Sequence, residues 1–247
     1  MDRLVNTALT AMRGAMSRQA TIANNLANAN TTGFRAEIAN ASAMWINGDT
    51  YNSRAQSTEQ VLGADMAQGS VSNTGNPLDV AVNDQAMLAV QANDGSEAYT
   101  RRGDLKVSDS GLLTTGDGLP VIGESGPITL PAYDSISIAK DGSISIVPTG
   151  GDPNLPQVVD KLKLATPTGS QIAKGTDGLF REVNGGVLPD DPMASVTPES
   201  LEGSNVNSTQ ALVQMIEASR AWETQVKMID TAKKIDDSGA SLMQLPS

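Results

Sequence analysis

The hydrophobic period of this chain changes twice, and no single kind of secondary structure satisfies both periods. Over residues 3–30, Val5, Ala8, Met12, Ala15, Gln19, Ile22, Leu26 and Ala29 recur at heptad spacing, all apolar but Gln19. Leu9, Met16 and Ala23 widen that stripe. This is the pattern of an amphipathic helix. From about 75 to 190 the period is two, as in Leu78/Val80/Val82, Leu105/Val107 and Ile128/Leu130. Beyond residue 200 heptad spacing returns with Leu212, Met215, Ser219, Trp222, Val226 and Ile229, and with Ile216 beside them. The order is helix, strands, helix, so the two ends are expected to share one part of the molecule and the strands another.

A helix of about 28 residues is a rod roughly 40 Å long. No Pro interrupts it, Gly14 weakens it by about 1 kcal/mol, and Gly33 offers a left-handed stop. Alanine at three of the eight seam positions allows close approach but buries little area, at about 0.8 kcal/mol per CH2. Such a helix is marginal alone and needs the C-terminal helix, other subunits or both. Asn24, Asn25, Asn28 and Asn30 crowd its last turns, either as a fraying end or as register-setting polar contacts in a bundle. At the other end Asn207 and Gln210 form an N-x-x-Q capping box, which predicts a helix from about Ser208. Its seam fades at Lys233 and Asp236, and Gly239 is expected to end it. Trp222 lies on the apolar stripe and reads as a packed anchor between helices.

In the middle, Ile136-Ser137-Ile138 and Ile144-Ser145-Ile146 flank Ala139-Lys140-Asp141-Gly142-Ser143, a hairpin with Asp-Gly in its turn. Turn signals recur at Asp94-Gly95, Asp109-Ser110-Gly111, Asp117-Gly118 and Asn184-Gly185-Gly186. Short strands at this spacing predict an irregular all-β body, not a parallel α/β sheet. Residues 36–74 read as either a prolonged helix or an extended excursion, with a turn at Gly48-Asp49. Residues 191–199 read as a linker.

The chemistry available is narrow. There is no Cys and no His, which removes disulfides, thiolate zinc sites and the commonest general base. A net charge of −11 opposes nucleic-acid binding, and 3% aromatic residues give little for stacking on bases or sugars. No apolar run approaches the roughly 18 residues of a membrane span, so no membrane insertion is expected. Asn6, Thr7 and Thr10 interrupt any h-region near Arg3, so no cleaved signal peptide is expected either. Asp79 with Asp84, or Asp190 with Asp191, would be the carboxylate pairs of an acid–base enzyme, but their contexts read as solvated turn or strand-edge acids. The Asp-Gly turns lack a calcium ladder. Arg102-Gly103-Asp104 reads as a tight turn. No phosphate loop, dinucleotide motif or nucleophile elbow occurs. No catalytic, metal or cofactor site is expected, and no cofactor.

One resemblance runs through the chain. Ala23-Asn24-Asn25-Leu26-Ala27-Asn28-Ala29-Asn30-Thr31-Thr32-Gly33-Phe34-Arg35 resembles the N-terminal signature of the bacterial flagellar axial proteins, which build the rod and hook. Leu201-Glu202-Gly203-Ser204-Asn205-Val206 and Arg220-Ala221-Trp222-Glu223 resemble their C-terminus, where Tyr is usual at the position of Trp222. Gly75-Asn76-Pro77-Leu78-Asp79-Val80-Ala81-Val82 and Tyr99-Thr100-Arg101-Arg102-Gly103-Asp104 resemble segments of their body. Two departures stand out. Asp84-Gln85-Ala86-Met87-Leu88 occupies the place of a usual Gly-x-Gly-Phe-Phe, and Arg102 that of a common Asp or Asn.

The resemblance implies a mixed α+β fold. Residues 1–35 and 200–247 would form a discontinuous, coiled-coil-like assembly core, 36–74 a connecting segment and 75–190 an inserted β domain. It implies a non-enzymatic rod subunit that stacks helically and transmits motor torque in the periplasmic part of the basal body. Its partners would be further copies, neighbouring rod proteins and the flagellar type III export apparatus. Length, Met1-Asp2-Arg3-Leu4 and Gly33-Phe34-Arg35-Ala36-Glu37 resemble the proximal-rod branch more than the distal one. The expected assembly interface is Val5, Met12, Ile22, Asn25, Leu26, Asn28, Leu212, Met215, Trp222, Val226 and Ile229. The competing class, a periplasmic carbohydrate-active enzyme or wall-binding module, requires a cleft in the middle of the chain.

Overall fold

A computed structural model describes residues 2–46 and 54–243. The chain opens with helix α1 (Asp2–Ala27), followed by two long strands, β1 (Glu37–Ile46) and β2 (Arg54–Ala64). Short strands follow: β3 (Val71–Asn73), β4 (Val80–Val82), β5 (Met87–Gln91), β6 (Glu97–Thr100), β7 (Leu105–Val107) and β8 (Leu113–Thr115). Next come β9 (Ile122–Gly123), β10 (Gly126–Pro127), β11 (Tyr133–Ile138), β12 (Ser143–Pro148) and β13 (Gln157–Lys161). The last strands are β14 (Leu164–Ala165), β15 (Ile172–Lys174), β16 (Phe180–Glu182), β17 (Val196–Pro198) and β18 (Ser200–Glu202), before helix α2 (Ser208–Met243). Two compact units result. One contains residues 1–27, 37–63 and 207–247; the other contains 28–36 and 64–206.

In the first unit α1 packs along α2, and β1 pairs with β2. On α1 the heptad positions Ala8 and Ile22 are buried, and Met12, Ala15, Gln19 and Leu26 half-buried. On α2 the inward seam is Ala211, Met215, Ala218, Ser219, Trp222, Gln225, Ile229 and Ala232, with its three alanines buried. It keeps Met215, Ser219, Trp222 and Ile229 of the expected stripe, adds Ala211, Ala218 and Gln225, and leaves Leu212 and Val226 exposed. Small residues on the inward face let helix axes approach closely, which leaves the larger aliphatics outside.

The Asn207 Oδ1 accepts the Gln210 N–H at 3.1 Å, capping α2 where the sequence placed its start. Gly239 does not end the helix, which runs on to Met243. An interior glycine costs only about 1 kcal/mol, and it stops a helix only where it takes up the left-handed conformation. Of the two readings for residues after 36, the extended one holds for Glu37–Ile46. The Gly48-Asp49 turn lies outside the described residues.

The second unit is built on a five-stranded sheet in the order β14-β5-β6-β16-β15, a three-stranded sheet β11-β12-β13, and two-stranded pairs. β5 is buried on both faces. Leu88 and Val90 enter a core with Val80, Val82, Leu113, Ile144 and Ile146, whereas Met87 and Ala89 join Tyr99, Phe180 and Leu188. Met87 and Leu88 thus fill the strand where the family's two Phe are missing. The predicted hairpin is present, with Ile138 opposite Ile144 and Gly142 at φ 86° in the turn. One strand-level expectation differs. Val80, Ala81 and Val82 are all buried instead of alternating, because β17 pairs with β4 and the Gly103 backbone lies against Val80 so closely that no Cβ would fit. Arg102-Gly103-Asp104 runs extended into a γ-turn, with the Leu105 N–H donating to the Gly103 carbonyl at 3.1 Å.

Asp84 has φ 49°, a left-handed conformation that disfavours side chains with a Cβ and explains why glycine is usual at this place. Asp84→Gly is therefore expected to keep or slightly raise the denaturation midpoint, and Asp84→Val to cost about 1–2 kcal/mol. Urea unfolding of the two variants checks this; equal midpoints would remove the backbone argument.

Candidate functional site

Glu202, at the end of β18, is fully buried and has two arginines at its carboxylate. Arg101 follows β6 and uses its whole guanidinium. Its Nε and Nη2 donate to Glu202 Oε2 at 2.9 and 2.6 Å. Its Nη1 donates to the Asp84 and Ala86 carbonyls at 2.7 and 2.6 Å, and Nη2 also to the Val82 carbonyl at 2.6 Å. Burial pulls the Arg101 pKa down; the charge and hydrogen bonds of Glu202 oppose that. Glu202 Oε1 accepts the Gly69 N–H at 2.8 Å and lies 2.7 Å from Arg35 Nη1. This last approach is a charge contact without hydrogen-bond alignment: no Arg35 guanidinium nitrogen has a hydrogen-bond partner among the described residues. One carboxylate cannot neutralise two guanidiniums, so positive charge stays buried here.

Arg35 arrives on the strap of residues 28–36, which belongs to the strand-rich unit. The Gly33 N–H donates to the Glu202 carbonyl at 2.8 Å. Gly33 sits at φ 66° with the Arg101 backbone where a Cβ would stand, so two independent reasons require glycine. The Lys174 ammonium lies 3.8 Å from the Phe34 ring centroid and donates to the Arg35 carbonyl at 3.0 Å. Gly33, expected as a left-handed stop, and Phe34, Arg35, Arg101 and Glu202, quoted above only as parts of motifs, thus meet in one place. The available signal was charge type: a buried Glu among short strands demands cations, and Arg35 and Arg101 stand in the other motifs.

The expected interface residues fall into three groups. Ile22 is buried, and Met12, Leu26, Met215, Trp222 and Ile229 are half-buried in the helical unit. Leu212 and Val226 are 49% and 42% exposed, alongside Leu9, Met16, Val213, Ile216, Met228 and Ile235. Val5 lies in α1 with its side chain outside the described residues. The asparagine side chains are bonded within the subunit. The Asn25 amide donates to the Glu37 carbonyl at 2.9 Å and accepts the Glu37 N–H at 2.8 Å, serving the first residue of β1 as a strand neighbour would. The Asn28 Oδ1 accepts the Thr31 hydroxyl at 3.2 Å, and the Asn28 backbone carbonyl accepts the Thr31 N–H at 3.1 Å, in the turn after α1.

Of the two carboxylate pairs, Asp79 and Asp191 serve as hydrogen-bond acceptors. Asp79 is buried, not solvated, and accepts from Thr74 Oγ1 at 2.7 Å and Asn76 Nδ2 at 2.9 Å. Asp191 accepts from Thr166 Oγ1 at 2.6 Å, which together with the Met193 N–H holds its carboxyl below the ordinary range. Asp84 and Asp190 are exposed. Among the described residues no group of three His, Cys, Asp or Glu could hold a metal ion, and no helix is long and apolar enough to cross a membrane.

Three stretches match known families. Residues 5–35 match the family "Flagella basal body rod protein", 81–146 the "Flagellar hook protein FlgE/F/G D1 domain" and 197–242 the "Flagellar basal body rod FlgEFG protein C-terminal". The chain is 42% identical to the flagellar basal-body rod protein FlgF of Escherichia coli K12, covering 100% of this chain and 99% of the relative. It is 39% identical to FlgF of Salmonella typhimurium, covering 99% and 100%. Identity to the rod protein FlgG of Buchnera aphidicola subsp. Acyrthosiphon pisum is 32%, covering 87% and 89%.

The geometry ranks the two arginines. Glu202→Ala strands two buried cations and is expected to cost about 3–5 kcal/mol in urea unfolding of the full chain, as is Arg101→Met. Arg35→Met removes a charge that makes no hydrogen bond and should cost under about 1 kcal/mol or stabilise the fold. Equal losses for the two arginine variants would overturn the ranking.

Proposed function

The chain belongs to the flagellar basal-body rod proteins, and on that premise we propose that it is a non-enzymatic subunit of the proximal rod, stacking helically to carry motor torque. The observation that carries this reading is end-to-end similarity to proteins named FlgF, higher than to the FlgG relative. α1 and α2 act as the assembly core. Their exposed aliphatics, Leu9, Met16, Leu212, Ile216, Val226 and Met228, support packing against the helices of further subunits, because a helix pair with apolar outer faces is incomplete alone. The inward alanines permit the close packing that a stiff rod needs. Neighbouring copies and other rod proteins are its partners, the periplasmic space its location and the flagellar type III apparatus its route. The acids that a carbohydrate-active enzyme would use are engaged as acceptors or lie exposed, which favours the structural reading over the enzymatic one.

The independently folding body is the second unit entire, not residues 75–190. Glu202 and Arg35 support this, since a fragment without them leaves the Arg101 guanidinium without its anion. A 75–190 fragment is therefore expected to lack a cooperative melt that the full chain displays.

Basal bodies imaged from a strain lacking this chain should end in a truncated rod; an intact rod would sink the assignment. Ile216→Lys and Val226→Lys, both at exposed sites, should leave monomer stability within about 0.5 kcal/mol while blocking incorporation into basal bodies. Normal incorporation would show that these faces of α2 are not the contact.

A further inference from the structure

Asn205 is hydrogen-bonded to the backbone of two segments remote from it in sequence. Its Oδ1 accepts the Ala36 N–H at 2.8 Å, and its Nδ2 donates to the Asp65 and Ala67 carbonyls at 2.8 and 3.0 Å. Its own N–H donates to the Phe34 carbonyl at 3.3 Å. The Asp65 N–H in turn donates to the Ala36 carbonyl at 2.7 Å. Ala36 is the last residue of the strap before β1, Asp65 the first after β2, and Asn205 stands just ahead of α2. Three of the four places where the chain passes between its two units are thus tied together, inside the strand-rich unit, by one amide side chain.

The chemistry is specific to Asn. Two carbonyl acceptors and one N–H donor converge on a single side chain, which must offer both donors and an acceptor in one plane. Asp offers no donor to the two carbonyls, and a hydroxyl offers one at most. A side chain that meets backbone groups of separate segments in this way fixes their register without being part of any ladder.

We propose that Asn205 is a positioning residue: it clamps the strap, the start of the 65–67 segment and the lead into α2 in one register, so the chain leaves the body from fixed points. In the rod this clamp bears load between body and helical ends, a consequence that rests on the proposed function. The clamp itself does not, and the two are tested separately.

The test is amide hydrogen exchange on the purified full chain. In Asn205→Ala, exchange at Ala36 and Asp65 should accelerate about tenfold or more, with Ala89 and Gln91 of β5 unchanged. Asn205→Asp keeps the acceptor for Ala36 and turns a carboxylate towards two carbonyls, so Ala36 should stay slow while Asp65 accelerates. Unchanged Ala36 and Asp65 in Asn205→Ala, or acceleration of Ala89 and Gln91 by the same factor, would overturn the clamp. If exchange changes as expected, swimming of cells carrying Asn205→Ala should fail first in viscous medium. Normal swimming there would remove the load-bearing consequence and leave the clamp standing, whereas lost motility without any exchange change would overturn the clamp.

Discussion

The carboxylate of Glu202 is shared by two buried guanidiniums, and the arrangement of the strand-rich unit follows from how unequally it is shared. Arg101 spends all three of its nitrogens on Glu202 and on the Val82, Asp84 and Ala86 carbonyls, so it fixes the loop between β4 and β5 as well as the anion. Arg35 reaches the remaining oxygen as a bare charge contact. Charges removed from water are tolerated only when hydrogen bonds replace the lost hydration, so Arg101 is the structural partner. Arg35 is the electrostatic cost of bringing the strap into the body. That strap is retained by other means: the Gly33 bond to Glu202, the Lys174 contacts with Phe34 and Arg35, and the Asn205 amide.

Helical ends and body are held by different physics. In the body, aliphatic side chains close two cores on opposite faces of β5, and buried polar groups such as Asp79 are satisfied by neighbours fixed in the same turn. Burial of that kind is complete within one chain. Along α1 and α2 the inward seam mixes alanines with larger side chains such as Ile22, Met215, Trp222 and Ile229, while Leu212, Ile216 and Val226 are exposed. Dispersion and hydrophobic transfer scale with contact and area, so the alanines of this seam contribute less per residue than the aliphatic side chains of the body.

Much of this was legible in the residues themselves. Heptad spacing placed α1 and α2, the N-x-x-Q cap located the start of α2, and Asp141-Gly142 marked the turn of the β11–β12 hairpin, because each is a local consequence of backbone geometry. Others misled for equally physical reasons. Val80 and Val82 read as one face of a period-two strand, yet Ala81 between them is buried as well. Gly239 reads as a stop, yet nothing local turns a glycine left-handed unless the following chain needs to leave the helix axis. On α2 the stripe read from the sequence runs through Leu212 and Val226, which are exposed, whereas their neighbours Ala211 and Gln225 turn inward.

The sequence by itself determined the periods, the caps, the turns and the family, since these depend on residues within a few positions of one another or on ordered motifs. It also held every residue of the Glu202 cluster and of the Asn205 clamp in plain view. What it could not supply was their convergence. Arg35, Arg101 and Glu202 come from three regions of the chain, and Asn205 serves Ala36, Asp65 and Ala67, so their pairing depends on which strands become neighbours. That choice is made by burial of the body as a whole. Only the tertiary structure decided it, because a buried charge or amide has no preferred partner until packing removes water and leaves one within reach.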